Sequence, residues 1–186
     1  MKVLVVYATR HGATRGIAER VAKVLEREGL SVRLADAEDP VAASGYDAFV
    51  VGGAAYMGHW LKPATEFVHD HETVLARRPT WLFSSGPVGT ELVDKKGQDV
   101  VRASIPKEFA DLETRIHPRA EQVFFGAFDP DQRPIGIGER LGAMFFRFGA
   151  IHDALPAGDF RDWPQIESWA SNIAKDLKQG AAAITH

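Results

Sequence analysis

The chain alternates short apolar runs with longer segments in which apolar residues recur every three or four positions. The first run, Lys2–Tyr7 (KVLVVY), is almost continuously apolar, which is typical of a strand buried on both faces. Ala13–Glu28 follows with Ile17, Val21 and Leu25 on one face, which predicts an amphipathic helix. A buried strand followed by such a helix is the basic unit of a parallel sheet.

The same alternation continues along the chain. Further strands are predicted at Ser31–Ala35, Tyr46–Val51, Thr80–Ser84 and Gln122–Phe128, and further helices from Pro63, over Pro106–Ile116 and over Trp163–Lys178. Five strands separated by helices predict an α/β fold with a parallel sheet and helices on both of its faces. The pattern shows no linker and no internal repeat, so we expect residues 1–186 to form a single domain.

The composition of the chain argues against several classes of function. The chain has 186 residues, no cysteine and a net charge of −3, which argues against a nucleic-acid partner and excludes thiolate chemistry. His69 and His71 lie on different faces of their predicted helix, so we expect no metal site. No leader sequence and no membrane span is recognisable, and we therefore expect a cytoplasmic protein.

Three loops at the carboxyl ends of the strands are rich in small residues: Thr9–Thr14, Gly53–Trp60 and Ser85–Glu91. Ligands of open parallel sheets bind at this edge. In the first loop no lysine follows Gly12 or Gly16, which excludes a Walker site, and the spacing of these glycines excludes the paired-glycine dinucleotide motif. The remaining design is a loop of hydroxyls and backbone amides that binds one phosphate monoester at a helix N-terminus.

The second and third loops offer a site for a planar ring. Tyr56, Met57 and Trp60 are able to flank such a ring, although Tyr56 and Trp60 are equally able to pack beneath the loop. Backbone groups of the same two loops would address the polar edge of the ring. The predicted binding residues are Thr9, Arg10, His11, Gly12, Ala13, Thr14, Ala54, Ala55, Tyr56, Met57, Gly58, Trp60, Ser85, Gly86, Pro87, Val88 and Gly89.

The first loop resembles the signature of the flavodoxin family. The matching positions are Val5, Val6, Tyr7, Thr9, Gly12, Thr14 and Ala18, and every specified position of the signature is matched. The resemblance implies a doubly wound five-stranded parallel sheet of order 2-1-3-4-5. It also implies FMN as cofactor, with the phosphate in the first loop and the ring between the second and third loops.

A closer resemblance extends over nearly the whole chain. The segments YATRHGATRGIA, VVGGAAYMGHWLKPATEFV and DWPQIESWASNIA resemble the menaquinone-dependent protoporphyrinogen IX dehydrogenase family. This family also carries an amphipathic insertion, here at about residues 129–158 and including ERLGAMFFRFGAIHDALP. The resemblance implies an FMN-dependent oxidoreductase that oxidises protoporphyrinogen IX with a quinone as acceptor.

Several alternatives stay open. A diffusing electron carrier is typically strongly acidic, whereas this chain carries a net charge of −3 and places Arg10, His11 and Arg15 at the first loop. The other interpretations are a quinone or nitro reductase, an electron-transfer module with a partner protein, and a relative that has lost FMN. Residues 139–154 form either an extra helix packed on the sheet, or an apolar lid or membrane-surface contact for a quinone or tetrapyrrole. His11 and His59 are candidates for relaying a proton to the reduced flavin, beside the alternative of exposed loop histidines without a role, and the catalytic residues are not identified.

Overall fold

The computed structural model describes residues 1–94, 96–129 and 157–184. Its main sheet contains the parallel strands β1 (Lys2–Ala8), β2 (Ser31–Asp36), β3 (Ala48–Tyr56), β5 (Thr80–Ser85) and β6 (Ala120–Phe124). The strands lie in the order β2-β1-β3-β5-β6, with a short β4 (His59–Trp60) antiparallel to β3. Counted along the five parallel strands, this order is 2-1-3-4-5, and the predicted topology is confirmed.

Helices cover both faces of the sheet. On one face, α1 (Ala13–Arg27) and α6 (Trp163–Ile184) pack against strand residues of one parity, including Val3, Val5, Val50 and Phe83. On the other face, α2 (Lys62–Asp70), α3 (Glu72–Leu75) and α5 (Phe109–Ile116) pack against the alternate residues, including Leu4, Val6, Val51 and Leu82. This two-sided burial explains why the strands are continuously apolar in sequence.

The first helix ends as the sequence predicts. Gly29 adopts a φ of 82°, and its N–H donates to the carbonyl of Glu26 while the N–H of Leu30 donates to that of Leu25. These two bonds form the Schellman arrangement, in which glycine accepts the left-handed conformation at low cost. The last helix begins as predicted too, because the Asp162 carboxylate accepts the N–H of Gln165 at 3.0 Å.

Several element boundaries differ from the prediction. The helix expected from Pro63 is interrupted at His71, whose ring stacks on Phe67. The predicted fifth strand is divided into β6 and β7 (Ala127–Phe128), because the N–H of Gly126 leaves the sheet and donates to the carbonyl of Pro87. The helix α4 (Val100–Ala103) and the strand β8 (Gly158–Asp159), which pairs with β7, were not predicted.

Strand β3 is longer than predicted and continues to Tyr56, where it turns into β4. The last helix likewise extends to Ile184 rather than ending at Lys178. The interior of the amphipathic insertion, residues 130–156, lies outside the described residues, and so does the proposed membrane contact over residues 139–154. No helix in the described ranges has both the length and the apolar character needed to cross a membrane.

Candidate functional site

The three predicted loops follow three neighbouring parallel strands. Ala8 of β1 pairs with Gly53 of β3, and Ala54 of β3 pairs with Ser85 of β5. The carboxyl ends of these strands are therefore side by side, and the loops that leave them meet at one edge of the sheet. This edge is where ligands of doubly wound folds bind.

The first loop turns sharply into α1. The hydroxyl of Thr9 accepts the N–H of Gly12 at 3.0 Å, and Gly12 takes a φ of 83° as the N-terminal cap of the helix. Ala13 and Thr14 are the first residues of α1, where helix geometry leaves the N–H groups without an intrahelical acceptor. The loop thus presents amides and a hydroxyl at the positive end of a helix dipole.

Thr14 connects the first loop to the third. Its side chain is fully buried, and its Oγ lies 2.8 Å from the Oγ of Ser85. The sequence predicts the Thr14 hydroxyl as a direct ligand of the phosphate, whereas the structure shows it bonded to Ser85. Its visible role is to hold the start of α1 against the end of β5.

The second loop is a tight hairpin between β3 and β4. Tyr56 pairs with His59, and Met57 and Gly58 form the turn with φ angles of 54° and 77°. Two positive φ angles are those of a type I′ turn, in which asparagine and glycine are the favoured residues. Methionine is strained there, and yet 90% of the Met57 surface is exposed to solvent. Backbone strain of this kind clusters at active sites and ligand clamps in proteins.

The second loop also contacts both of its neighbours. The guanidinium of Arg10 lies 5.0 Å from the centre of the Tyr56 ring, which is 39% exposed. A Cβ placed on Gly86 would stand 3.1 Å from the carbonyl oxygen of Ala55, a tight contact, so the second and third loops approach each other closely at this glycine. The three loops are therefore joined pairwise.

The third loop is fixed by backbone bonds to the connection after β6. The N–H of Gly86 donates to the carbonyl of Phe124 at 3.4 Å, and the carbonyl of Pro87 accepts the N–H of Gly126 at 2.8 Å. Pro87 is buried, whereas Val88 and Gly89 are half-buried and continue the loop.

Trp60 lies beneath the second loop. Only 4% of its surface is exposed, its Nε1 donates to the carbonyl of Gly53 at 3.0 Å, and its ring meets Phe109 edge-on at 5.1 Å. Ala54 is buried as well. Of the two interpretations of Trp60, packing below the loop accounts for all of these contacts, and the ring does not face the open edge.

Two contacts of the site are not predictable from sequence spacing. The first is the carboxylate of Glu108, just before α5. One of its oxygens lies 2.8 Å from Nδ1 of His59 and the other accepts the N–H of Trp60 at 2.9 Å. Burial alone would raise the pKa of Glu108, but these hydrogen bonds outweigh it and hold the pKa below its usual range.

The second contact anchors the hairpin of β7 and β8 on the start of α1. Arg161 is held by two hydrogen bonds to the carboxylate of Asp159 and donates to the carbonyl of Ala13 at 3.2 Å. Its guanidinium lies over Trp163, 4.5 Å from the centre of the ring. A Cβ built on Gly16 would stand 2.5 Å from Nη1 of Arg161, so the guanidinium fills the space that a side chain at Gly16 would need. Arg161, stacked on Trp163, therefore supports the start of α1 directly after the first loop.

A doubly wound sheet with three linked loops, rich in small residues, at its carboxyl edge is typical of α/β proteins that bind a ligand there. The model of the family described as Flavodoxin domain matches residues 4–135. The chain belongs to this family, and it is a flavodoxin-like flavoprotein oxidoreductase.

Individual relatives agree with the family. The chain is 34% identical over 177 residues to a protoporphyrinogen IX dehydrogenase [quinone] of Escherichia coli (strain K12), covering 94% of this chain and 95% of the relative. Its fold is similar to that of an archaeal flavodoxin, with a TM-score of 0.54, 16% identity and coverage of 96% and 99% of the two chains. A mutant flavodoxin from Pseudomonas aeruginosa gives a TM-score of 0.57 with the same identity and coverage.

Proposed function

We propose that the flavin of this protein is FMN. Its phosphate would lie in the Thr9–Thr14 loop, and its ring between the Gly53–Trp60 and Ser85–Glu91 loops. The observation that carries the proposal is the pairwise linkage of these loops at one sheet edge, through Thr14 with Ser85 and through Arg10 with Tyr56. When bound, the flavin supplies an acceptor for two electrons.

The first loop suits a phosphate monoester in shape and charge. Among the described residues, no atom lies within 4 Å of the place where a Cβ of Gly12 would stand, so the space before the helix is open. The amides of Ala13 and Thr14 begin α1, and Arg10 brings positive charge to the loop. A phosphate would be bound there by amides, by the helix dipole and by a cationic side chain.

The second and third loops suit the ring of a flavin. Tyr56 and Met57 expose apolar surface at the hairpin tip. The close approach of Gly86 to Ala55 brings backbone amides and carbonyls of both loops to the same place. Trp60 would support this wall from below through its bond to Gly53.

We further propose that the substrate is a porphyrinogen and the electron acceptor a quinone. The name and the full-length similarity of the Escherichia coli relative support this assignment. The modest charge of −3 supports an enzyme rather than a diffusing carrier that is steered by a strongly acidic surface.

The cofactor is tested first. Purified protein should carry FMN, identified by absorbance and by chromatography of the released flavin. Thr14→Leu should weaken FMN binding by much more than about tenfold, because a larger apolar side chain cannot replace the buried bond to Ser85. Thr14→Ser keeps the hydroxyl and is the matched control. Protein that takes up no flavin would overturn the proposal.

The reaction is tested next under anaerobic conditions. Protoporphyrinogen IX should be oxidised to the porphyrin only when a quinone is added, and porphyrin fluorescence follows the product. An enzyme that binds FMN and reduces quinones with a nicotinamide donor, but leaves protoporphyrinogen unchanged, would be the quinone reductase alternative instead.

A further inference from the structure

An imidazole at the candidate site is held by a carboxylate. His59 Nδ1 lies 2.8 Å from one oxygen of Glu108, whose other oxygen accepts the N–H of Trp60. The N–H of Lys107 donates to the carbonyl of Gly58 at 3.0 Å, so the same residues also hold the backbone of the hairpin. The start of α5 thereby fixes both the turn and the imidazole that follows it.

The hydrogen bonds define the proton positions on the ring. Glu108 has a pKa below its usual range and is therefore an ionised carboxylate that only accepts hydrogen bonds at neutral pH. The proton is consequently assigned to Nδ1 of His59, and Nε2 carries the lone pair. The Nζ of Lys107 lies 3.5 Å from Nε2, which agrees with an unprotonated nitrogen at that position.

The imidazole lies on the site side of the hairpin. His59 is directly opposite Tyr56 in the antiparallel pair, and residues opposite one another project from the same face. Tyr56 in turn lies under Arg10 of the first loop. The side chain of His59 is 57% exposed, so the imidazole is open to solvent beside the hairpin, with Lys107 as the neighbour of Nε2.

We propose that His59 is the proton acceptor of the dehydrogenation and that Glu108 is its positioning residue. This inference rests on the proposed function, because it requires a substrate that loses a hydride from carbon and a proton from nitrogen. The pair is the arrangement by which a carboxylate fixes one tautomer of a histidine base and stabilises the imidazolium that forms.

The step balances as follows. A C–H bond of the substrate would break, with its hydrogen and electron pair taken up by the two-electron acceptor that a bound flavin would supply, while an N–H bond would break and its proton would bind Nε2 of His59. The electron pair of the N–H bond remains in the substrate as part of the new double bond. The hydride equivalent and the proton from Nε2 together convert the quinone to a quinol, so that two electrons and two protons are transferred.

Single-turnover oxidation of protoporphyrinogen by the FMN-loaded enzyme tests the proposal. We expect His59→Ala to slow the step about 100-fold and added imidazole to restore part of the rate. Glu108→Gln, which retains an acceptor for the N–H of Trp60, should slow it about tenfold. His69→Gln, at an exposed position on α2, is the matched control. A wild-type rate for His59→Ala, or a loss that instead follows His11→Ala, would overturn the assignment.

A second measurement is independent of activity. In nitrogen NMR spectra of the protein without cofactor, His59 should show the tautomer protonated at Nδ1, and Glu108→Gln should shift this balance towards the other tautomer. A ring that already populates both tautomers in the wild type overturns the positioning role of Glu108. If the tautomer is as expected but the protein binds no FMN, the proposed function fails and so does the catalytic role of His59, whereas the geometry of the pair stands.

Discussion

Replacing Gly53 with alanine should force the indole of Trp60 out of its place. A Cβ at Gly53 would stand 2.6 Å from Nε1 and 2.8 Å from Cε2 of that ring, and Nε1 donates to the Gly53 carbonyl. The ring has no room behind it, since it packs edge-on against Phe109. Overpacking costs about 1–3 kcal/mol and the lost hydrogen bond about 1 kcal/mol, so we expect unfolding to be easier by about 2–4 kcal/mol.

Urea unfolding followed by circular dichroism measures this loss. Gly45→Ala is the matched control, because among the described residues no atom lies within 4 Å of a Cβ built at Gly45. In a Trp60→Leu background the alanine at Gly53 should cost less than about 1 kcal/mol, because the indole is no longer there. An equal loss in both backgrounds, or an unchanged urea midpoint for Gly53→Ala, would refute the reasoning.

Three further substitutions test the supports of the site. Gly16→Ala should stabilise an Arg161→Ala background by about 0.5–1 kcal/mol, since alanine favours the helix, and should stabilise the wild type by less, because there it displaces the guanidinium of Arg161 from its bonds; equal effects in both backgrounds in urea unfolding contradict this. Met57→Asn should raise stability by about 0.5–1 kcal/mol at its positive φ and weaken FMN binding in a fluorescence titration, and tighter binding would speak against contact with the flavin. The hydrogen bonds of Glu108 contribute stability above its unfolded pKa, and this stability is lost as pH falls through its lower folded pKa. Between about pH 7 and about pH 3, Glu108→Gln should therefore lose less unfolding free energy, measured in urea, than the wild type. Identical losses would contradict this sign.

The strands follow from local patterns in the sequence, whereas their order is implied by the resemblance to the flavodoxin family. In a chain whose helices alternate with strands, a continuously apolar run such as Lys2–Tyr7 predicts a strand buried on both faces. In the structure this strand is one residue longer than predicted. The first loop is equally predictable from the sequence, because Thr9, Gly12 and Thr14 lie within six positions and the turn itself sets their conformations.

Contacts between segments that are distant in the sequence cannot be predicted in this way. Glu108 reaches His59 from 49 positions away and Arg161 reaches Ala13 from 148 positions away, and neither residue has a local pattern that indicates its partner. Trp60 shows a related difficulty. An aromatic residue beside a glycine-rich loop is compatible both with a ring wall and with packing below it, and only the space left by Gly53 decides between them.

The site consists of a buried layer that holds the loops and an exposed layer at their tips. Thr14 and Trp60 belong to the first, and Tyr56, Met57 and His59 to the second. Substitutions in the buried layer should lower stability and flavin affinity together, because they move the loops. Substitutions in the exposed layer should change affinity or rate while stability is retained, because these side chains have little packing to lose. If the protein bound no ligand at this edge, substitutions in the exposed layer would change neither affinity nor rate. A loss of affinity or rate without a loss of stability therefore tests the site itself.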